Sequence, residues 1–208
     1  MPRPYPPDMV LGEYAKPVFV PSPEMSEWAK STFIAESGSL MNLDHKYLRT
    51  AQIGFLWTNV PNSRHQRSIV ATAELGPPNP SKGGKWAVAK EEYQILQWFG
   101  GIPDFKITCY APDFAKMPDI DLCATVEHEL YHCHIQYRDG FPRYRKDGSL
   151  FWALRGHDVE EHVGVVRRYG AGAGAGATAA LVKAAQVLPE IGLASIAVAC
   201  GTCLLKLA

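Results

Sequence analysis

The sequence predicts an α+β fold, and two observations carry that prediction. Segments with a helical hydrophobic period are interspersed with short segments rich in β-branched and aromatic residues. The chain has 208 residues, of which 47% are hydrophobic and 20% charged, as in ordinary globular domains. A chain of this length buries roughly 70% of its unfolded surface, so it can fold without a disulfide or a metal. Any metal site is therefore expected to be functional.

Charge and cysteine content argue against several classes of protein. The 21 basic and 21 acidic residues cancel, so no global field attracts nucleic acid or an anionic membrane. The five cysteines are odd in number and scattered, which argues against a disulfide framework and fits a reducing compartment. The proline-rich start has no apolar stretch of signal-peptide length. We therefore expect a cytoplasmic protein.

The first elements follow from turn residues and periodicity. In chain order, we predict an extended arm over 1–22, a helix over 23–36 that begins at Ser22-Pro23-Glu24, a short helix over 43–49, and two antiparallel strands over 53–60 and 68–75 that a polar segment separates.

The middle of the chain contains the most regular pattern. We predict a loop over 76–84, a helix over 86–99 that stops at two glycines, a strand over 105–110 and a helix over 119–136. The last helix has an apolar stripe formed by Leu122, Val126, Leu130 and Cys133.

The C-terminal part is less regular. A polar, basic connection over 138–148 precedes a short apolar run over 151–154, which is either a strand or the entry to a helix over 156–169. The domains are thus an arm (1–22), one main domain (23–170), and a Gly/Ala hinge with an apolar helical tail (171–208). The apolar run of the tail has about 15 residues, too few to span a bilayer, so we expect no transmembrane span.

One motif carries the chemistry. His128, Glu129 and His132 form an H-E-x-x-H pattern inside the predicted helix over 119–136, which is the context that the motif requires. Four residues along a helix bring both imidazoles to one face, where they can share a tetrahedral zinc ion. A solvent-exposed histidine pair is the alternative. His134 points away from both histidines and is left out of the site.

A catalytic zinc needs a third protein ligand and an open position for water. The best source is the predicted helix over 156–169, on the face opposite a row of valines that includes Val163. His157 is the favoured third ligand, because neutral imidazole suits zinc and a carboxylate one turn away can orient its ring. Glu160 and Glu161 stay open as alternative ligands, and a solvated acidic face is the alternative to any ligand.

Residue patterns over about 11–170 also carry a family resemblance. They are the segments 53–57 (IGFLW), 85–86 (KW), 98–100 (WFG), 103–105 (PDF), 127–133 (EHELYHC), 155–161 (RGHDVEE) and 165–170 (VVRRYG). In these patterns the chain resembles the phage metallopeptidase family of phage and prophage genomes, a zincin group related to the SprT-like metallopeptidases.

The resemblance implies a zincin-like core, in which a small, mostly antiparallel sheet packs on the H-E-x-x-H helix and an edge strand lines the cleft. Our candidate for that edge is the strand over 105–110. An extended peptide or protein substrate would pair with the edge strand. We expect a hydrolase of the host cytoplasm in which His128, His132 and His157 hold one zinc ion and Glu129 activates the zinc-bound water.

Other functions compete with peptide hydrolysis. The chain is alternatively a catalytically silent zinc module that binds a protein partner, with self-association through the C-terminal apolar helix. The basic loop over 138–146 could guide nucleic acid, although a solvated loop is the simpler interpretation. The C-x-x-C pair Cys200 and Cys203 is a weak redox or metal signal, because it lacks partner ligands.

Overall fold

The computed structural model describes residues 2–12, 16–64, 67–81, 83–159, 163–172, 176–194 and 200. The chain divides into two units: Met1–Arg155 with Ala194–Ala208, and Gly156–Leu193. In the described residues no helix is both long and apolar enough to cross a membrane.

Helices and strands alternate along the chain, which confirms the predicted α+β class. The α-helices are α1 (Pro23–Ala29), α2 (Lys85–Phe99), α3 (Ala111–Lys116), α4 (Asp119–His132), α5 (Val163–Tyr169) and α6 (Ala177–Ala184). The strands are β1 (Phe19–Pro21), β2 (Ile53–Thr58), β3 (Asn62–Arg64), β4 (Arg67–Ile69), β5 (Ala71–Leu75), β6 (Phe105–Tyr110), β7 (Cys133–Ile135), β8 (Tyr137–Arg138), β9 (Phe141–Pro142) and β10 (Trp152–Leu154). Two 3-10 helices cover Asp8–Val10 and Leu43–Thr50, and a π-helical turn covers Lys30–Ile34.

The main sheet has the strand order β1-β2-β6-β5. Strand β6 runs parallel to β2 and antiparallel to β5, and β1 is antiparallel to β2. The strands predicted over 53–60 and 68–75 are therefore antiparallel in direction, but β6 lies between them. The long connection through α2 allows this insertion, because it returns the chain to the middle of the sheet.

The prediction that 105–110 forms the edge strand is wrong. Phe105, Ile107 and Cys109 are buried on one side of β6, and Lys106 on the other side is only 7% exposed. A strand covered on both faces and paired along both edges belongs to the interior of a sheet. The edge next to α4 is instead β5, whose Ala71 and Ala73 are buried.

The start of α1 follows the predicted cap. The Ser22 hydroxyl accepts a hydrogen bond from the Met25 backbone N–H at 3.2 Å, and Pro23 occupies the first helical position. Residues just before this cap differ from the predicted surface arm, because Phe19–Pro21 pairs with β2. The end of the arm thus extends the main sheet by one strand.

Helix α4 contributes its predicted apolar stripe to the core. The four stripe residues are at most 1% exposed: Leu122, Val126, Leu130 and Cys133. The helix ends at His132, however, four residues earlier than predicted. Cys133–Ile135 leaves as strand β7 and pairs with β10, so Ile135 is a strand residue. This pairing also decides that the apolar run over 151–154 is a strand.

Two segments predicted as irregular contain short hairpins. Strand β3 lies in the polar segment that follows β2 and pairs with β4, which takes the first two residues of the strand predicted over 68–75. Strand β8 pairs with β9 at the start of the basic connection. Such two-residue or three-residue strands carry too few residues to show an alternating pattern.

The second unit contains α5 and α6. The helix predicted over 156–169 is found only as α5, which begins at Val163, and residues 156–159 are not helical. Val163 is 71% exposed and α5 has no buried residue, so the row of valines that includes Val163 does not form a buried face. Helix α6 ends at Ala184, and residues 191–194 are not helical. The rest of the predicted tail helix, Cys200 excepted, lies outside the described residues.

Candidate metal centre

Helix α4 brings the two motif histidines together. Their Nε2 atoms lie 3.2 Å apart. Two nitrogen ligands at about 2.0–2.1 Å from a tetrahedral zinc would be separated by about 3.3–3.4 Å. The 3.2 Å distance between the two Nε2 atoms is therefore close to the distance between two nitrogen ligands of one zinc ion. His132 is 2% exposed and His128 is half-buried, so the two histidines are not both exposed to solvent.

The ring of His132 is oriented by the backbone that follows β10. Its Nδ1 lies 2.6 Å from the carbonyl oxygen of Arg155, to which an Nδ1–H group donates. The Arg155 backbone N–H in turn donates to the His132 carbonyl at 2.9 Å. A ligand histidine held this way presents its Nε2 lone pair to the metal. No sequence motif predicts this contact, because Arg155 acts through backbone atoms.

Glu129 is buried beside the histidines. The residue is 1% exposed, and the backbone of Ala73 on the edge strand β5 hydrogen-bonds its carboxyl group. Burial is the main reason that the pKa of Glu129 lies well above its usual range, and Cys200 raises this pKa further. The helix therefore places the carboxyl group between the sheet edge and the histidine nitrogens.

Cys200 is a member of this centre that the sequence reasoning missed. Its Sγ lies 3.4 Å from His132 Nε2, and its backbone forms a parallel β-bridge with Ala71. Ligand atoms of His128, Glu129 and Cys200 lie within 4.8 Å of one another. The residue type was a signal, since thiolates are zinc ligands. The spacing suggested a pairing with Cys203 instead, and Cys203 lies outside the described residues.

The contacts of Cys200 also affect the histidine. Burial alone would lower the pKa of His132, but its contacts with Cys200 and the Arg155 carbonyl outweigh burial and raise this pKa. The protonated ring and a metal ion compete for the same Nε2 position, because a histidine binds metal only in its neutral form.

A polar network supports α4 on the side next to the histidines. Asn42 donates its amide hydrogens to Glu127 Oε1 at 2.8 Å and to the Tyr131 hydroxyl at 2.9 Å. Tyr131 in turn donates to Asp44 at 3.0 Å. His45 is fully buried, with its Nε2 3.6 Å from Glu127 and its ring against Tyr131.

This network changes the ionisation of Glu127. Burial would raise the pKa of Glu127, but the adjacent His45 ring and the hydrogen bond from Asn42 outweigh burial and lower it. Glu127 is thus held as a carboxylate that orients α4.

The predicted third ligand belongs to the second unit. His157 is an exposed residue just after Arg155, and it stays a prediction. The alternatives Glu160 and Glu161 lie outside the described residues. His134, which is predicted to lie outside the site, is on β7, with its ring centroid 5.1 Å from that of Tyr47 and 5.7 Å from that of Tyr137.

The basic loop over 138–146 contains the hairpin of β8 and β9. The Arg143 and Arg145 guanidinium groups lie over the Phe151 ring, at 4.7 and 5.3 Å. Arg138 is largely exposed. A role of this loop in nucleic-acid binding stays a prediction.

The fold and the site define a class of protein. A helix that presents two histidines and the adjacent buried glutamate, next to a sheet edge, is typical of metal-dependent peptidases. A family model described as "Putative phage metallopeptidase" matches residues 26–186, which is more than half of the chain. The chain belongs to this phage metallopeptidase family, as the sequence patterns predicted. No curated protein and no solved structure matches the chain.

Proposed function

We propose that this protein is a zinc-dependent peptidase, in which Glu129 activates water for the hydrolysis of peptide bonds. One observation supports this most strongly. The Nε2 atoms of His128 and His132 are spaced as ligands of a single ion, and the buried Glu129 lies directly beside them. The family of the chain supports the same chemistry.

The donor set fits zinc. Neutral imidazole nitrogens at tetrahedral spacing suit zinc better than magnesium or calcium, which prefer oxygen ligands. We propose His157 as the third ligand. Neutral imidazole suits zinc, and His157 would complete a set of three histidine ligands of the kind that catalytic zinc sites use. Zinc bound here would lower the pKa of water toward about 7 and polarise the scissile carbonyl.

Glu129 then acts as general base and acid. Its carboxylate takes a proton from the attacking water and passes that proton to the leaving amine of the cleaved peptide bond. The Ala73 backbone contact and the surrounding burial fix the carboxyl group and exclude bulk water from it. The Arg155 carbonyl keeps the His132 ring in one orientation during this transfer.

The substrate is proposed to bind along β5. This strand is the edge of the main sheet: β6 pairs with it along one side, and on its other side Ala73 hydrogen-bonds Glu129 and Cys200 bridges to Ala71. An extended peptide can add to such an edge through backbone hydrogen bonds, which leaves side-chain pockets to set its preference. The role that the sequence assigned to 105–110 thus passes to Ala71–Leu75.

Metal content per purified chain tests the ligand set. We expect about one zinc ion in the wild type, and its loss in His128→Ala, His132→Ala and His157→Ala. Glu161→Ala tests the carboxylate alternative, and His134→Ala is a matched control that should keep the metal. Loss of zinc in Glu161→Ala but not in His157→Ala would move the third ligand to the carboxylate.

Hydrolysis is tested with a peptide library and mass-spectrometric detection of products. Cleavage by the zinc-loaded chain, abolished in Glu129→Gln at unchanged zinc content, is the expected result. Cleavage by Glu129→Gln at the wild-type rate would disprove the proposed base. Absence of cleavage by the zinc-loaded wild type and by zinc-loaded Cys200→Ser and Cys200→Ala would instead indicate a catalytically silent binding module.

A further inference from the structure

Cys200 contacts the metal centre from a point 68 residues beyond His132 in the chain. The residue is 6% exposed, and its Sγ lies 3.4 Å from His132 Nε2. A sulfur ligand at about 2.3 Å and a nitrogen ligand at about 2.0–2.1 Å from a tetrahedral zinc are separated by about 3.6 Å. The thiol is therefore spaced to share one ion with His132.

The contact between Cys200 and Glu129 indicates which position the thiol occupies relative to the attacking water. A general base has to lie within hydrogen-bond reach of the water whose proton it takes. The Glu129 carboxyl is hydrogen-bonded to Cys200, and both groups lie within 4.8 Å of the His128 ligand atom. The sulfur thus lies within reach of both the base and the histidine nitrogens, which are the groups that the attacking water has to contact.

The backbone of Cys200 occupies the sheet edge as well. Its β-bridge pairs with Ala71, the first residue of β5, in parallel orientation. Ala71 is 2% exposed, so no further backbone can pair at this point while Cys200 is in place. One residue therefore covers both the position of the water and one end of the proposed substrate edge.

We propose that Cys200 is an additional ligand of the metal, which excludes the attacking water and keeps the folded chain latent. This inference rests on the proposed function and adds a regulatory ligand to it. When the metal binds, the Cys200 S–H bond breaks, a sulfur lone pair forms the bond to the metal, and the proton passes to solvent. Activation is the reverse exchange, in which water replaces the sulfur and the thiolate takes up a proton.

Cobalt(II) tests the ligand without relying on activity. The probe is the full chain loaded with Co²⁺, because a thiolate ligand gives a near-ultraviolet charge-transfer band that nitrogen and oxygen ligands do not give. We expect this band in the wild type and its loss in Cys200→Ser and Cys200→Ala, with cobalt still bound by the histidines. Cys123→Ser is the matched control, because Cys123 is a half-buried thiol on α4 and should keep the band.

Alkylation with iodoacetamide gives a second readout. Mass spectrometry of the Cys200 peptide should show slower modification in the zinc-loaded chain than in the metal-free chain, because zinc withdraws electron density from the bound sulfur and shields it from the alkylating reagent. Equal rates in both forms, or a cobalt spectrum without the thiolate band, would overturn the proposal. Complete loss of the metal in both Cys200 variants would also overturn it, since the histidines would then not suffice.

Peptide cleavage separates this inference from the proposed function. If both hold, Cys200→Ser and Cys200→Ala should cleave faster than the wild type by about tenfold or more, because water no longer competes with sulfur. Equal cleavage by all three chains would contradict latency and leave the peptidase intact. A thiolate band without cleavage by any chain would contradict the peptidase while the ligand itself stands.

Discussion

Two sides of helix α4 bury polar groups in different ways. On the side that carries Glu127 and Tyr131, donors meet acceptors: the Asn42 amide bonds both side chains, and Tyr131 bonds Asp44. On the side that carries His128 and His132, the Nε2 atom of His132 lies 3.2 Å from that of His128 and 3.4 Å from the Cys200 sulfur. Such a set of possible ligand atoms could hold one cation.

This difference separates stability from function. The hydrogen-bonded side of α4, which carries Glu127 and Tyr131, contributes to the free energy of unfolding. Removing one partner there leaves a buried polar group without its hydrogen bond. A side whose groups converge on a metal contributes to binding and chemistry. Changes to the first should lower stability, whereas changes to the second should lower activity or metal affinity.

The largest expected effect is a loss of peptide hydrolysis from a change on the side of α4 that carries His128 and His132. Glu129→Gln should reduce peptide hydrolysis by about 10²–10⁴-fold, because the amide cannot accept the proton of the attacking water. Zinc content should stay unchanged, and the metal-free variant should unfold at a temperature no lower than the wild type, because a buried carboxyl is replaced by a neutral group. Thermal unfolding and product analysis measure both. A marked drop in unfolding temperature would show that Glu129 also contributes to stability, which would contradict the separation of the two sides.

Metal removal comes next. Zinc that binds only the folded chain stabilises it by about 4 kcal/mol when free zinc is a thousandfold above the dissociation constant. We therefore expect the unfolding temperature to fall when a chelator strips the metal, and to recover when zinc is added back. His132→Ala should show no such response to zinc. A zinc-dependent shift of wild-type size in that variant would place the metal elsewhere.

The hydrogen-bonded side predicts a smaller effect. Asn42→Ala removes the donor to Glu127 and to Tyr131, and it should cost about 1–3 kcal/mol of unfolding free energy. Urea denaturation measures this loss. The zinc content should equal that of the wild type. Loss of zinc from a variant that is still fully folded would show that the two sides of α4 are coupled.

The smallest effect is expected far from both sides. Ser22→Ala removes the side-chain cap of α1 and should cost about 1 kcal/mol, with metal content and cleavage unchanged. The same denaturation experiment checks it. An effect on cleavage would mean that α1 transmits changes to the metal centre.

The sequence predicted what is local in the chain. The apolar stripe of α4 repeats with the helical period, the Ser22 cap lies beside its helix, and the H-E-x-x-H motif lies within one turn. Each of these features depends on residues a few positions apart, so a spacing rule recovers it.

The features that it missed depend on contacts between distant segments. The insertion of β6 between β2 and β5 is a choice of strand order, which periodicity does not encode. The end of α4 at His132 follows from the pairing of β7 with β10. Cys200 and the Arg155 carbonyl reach the centre from 68 and 23 residues away in the chain, so no motif contains them.

X-ray absorption by zinc in the loaded chain tests most directly whether α4 binds a metal through His128 and His132. The spectrum should show imidazole nitrogens at about 2.0–2.1 Å and, with Cys200 in place, one sulfur at about 2.3 Å. The imidazole contribution should fall in His128→Ala and in His132→Ala, and stay unchanged in His134→Ala. A zinc shell without imidazole, or one that neither variant alters, would contradict a metal centre on this helix.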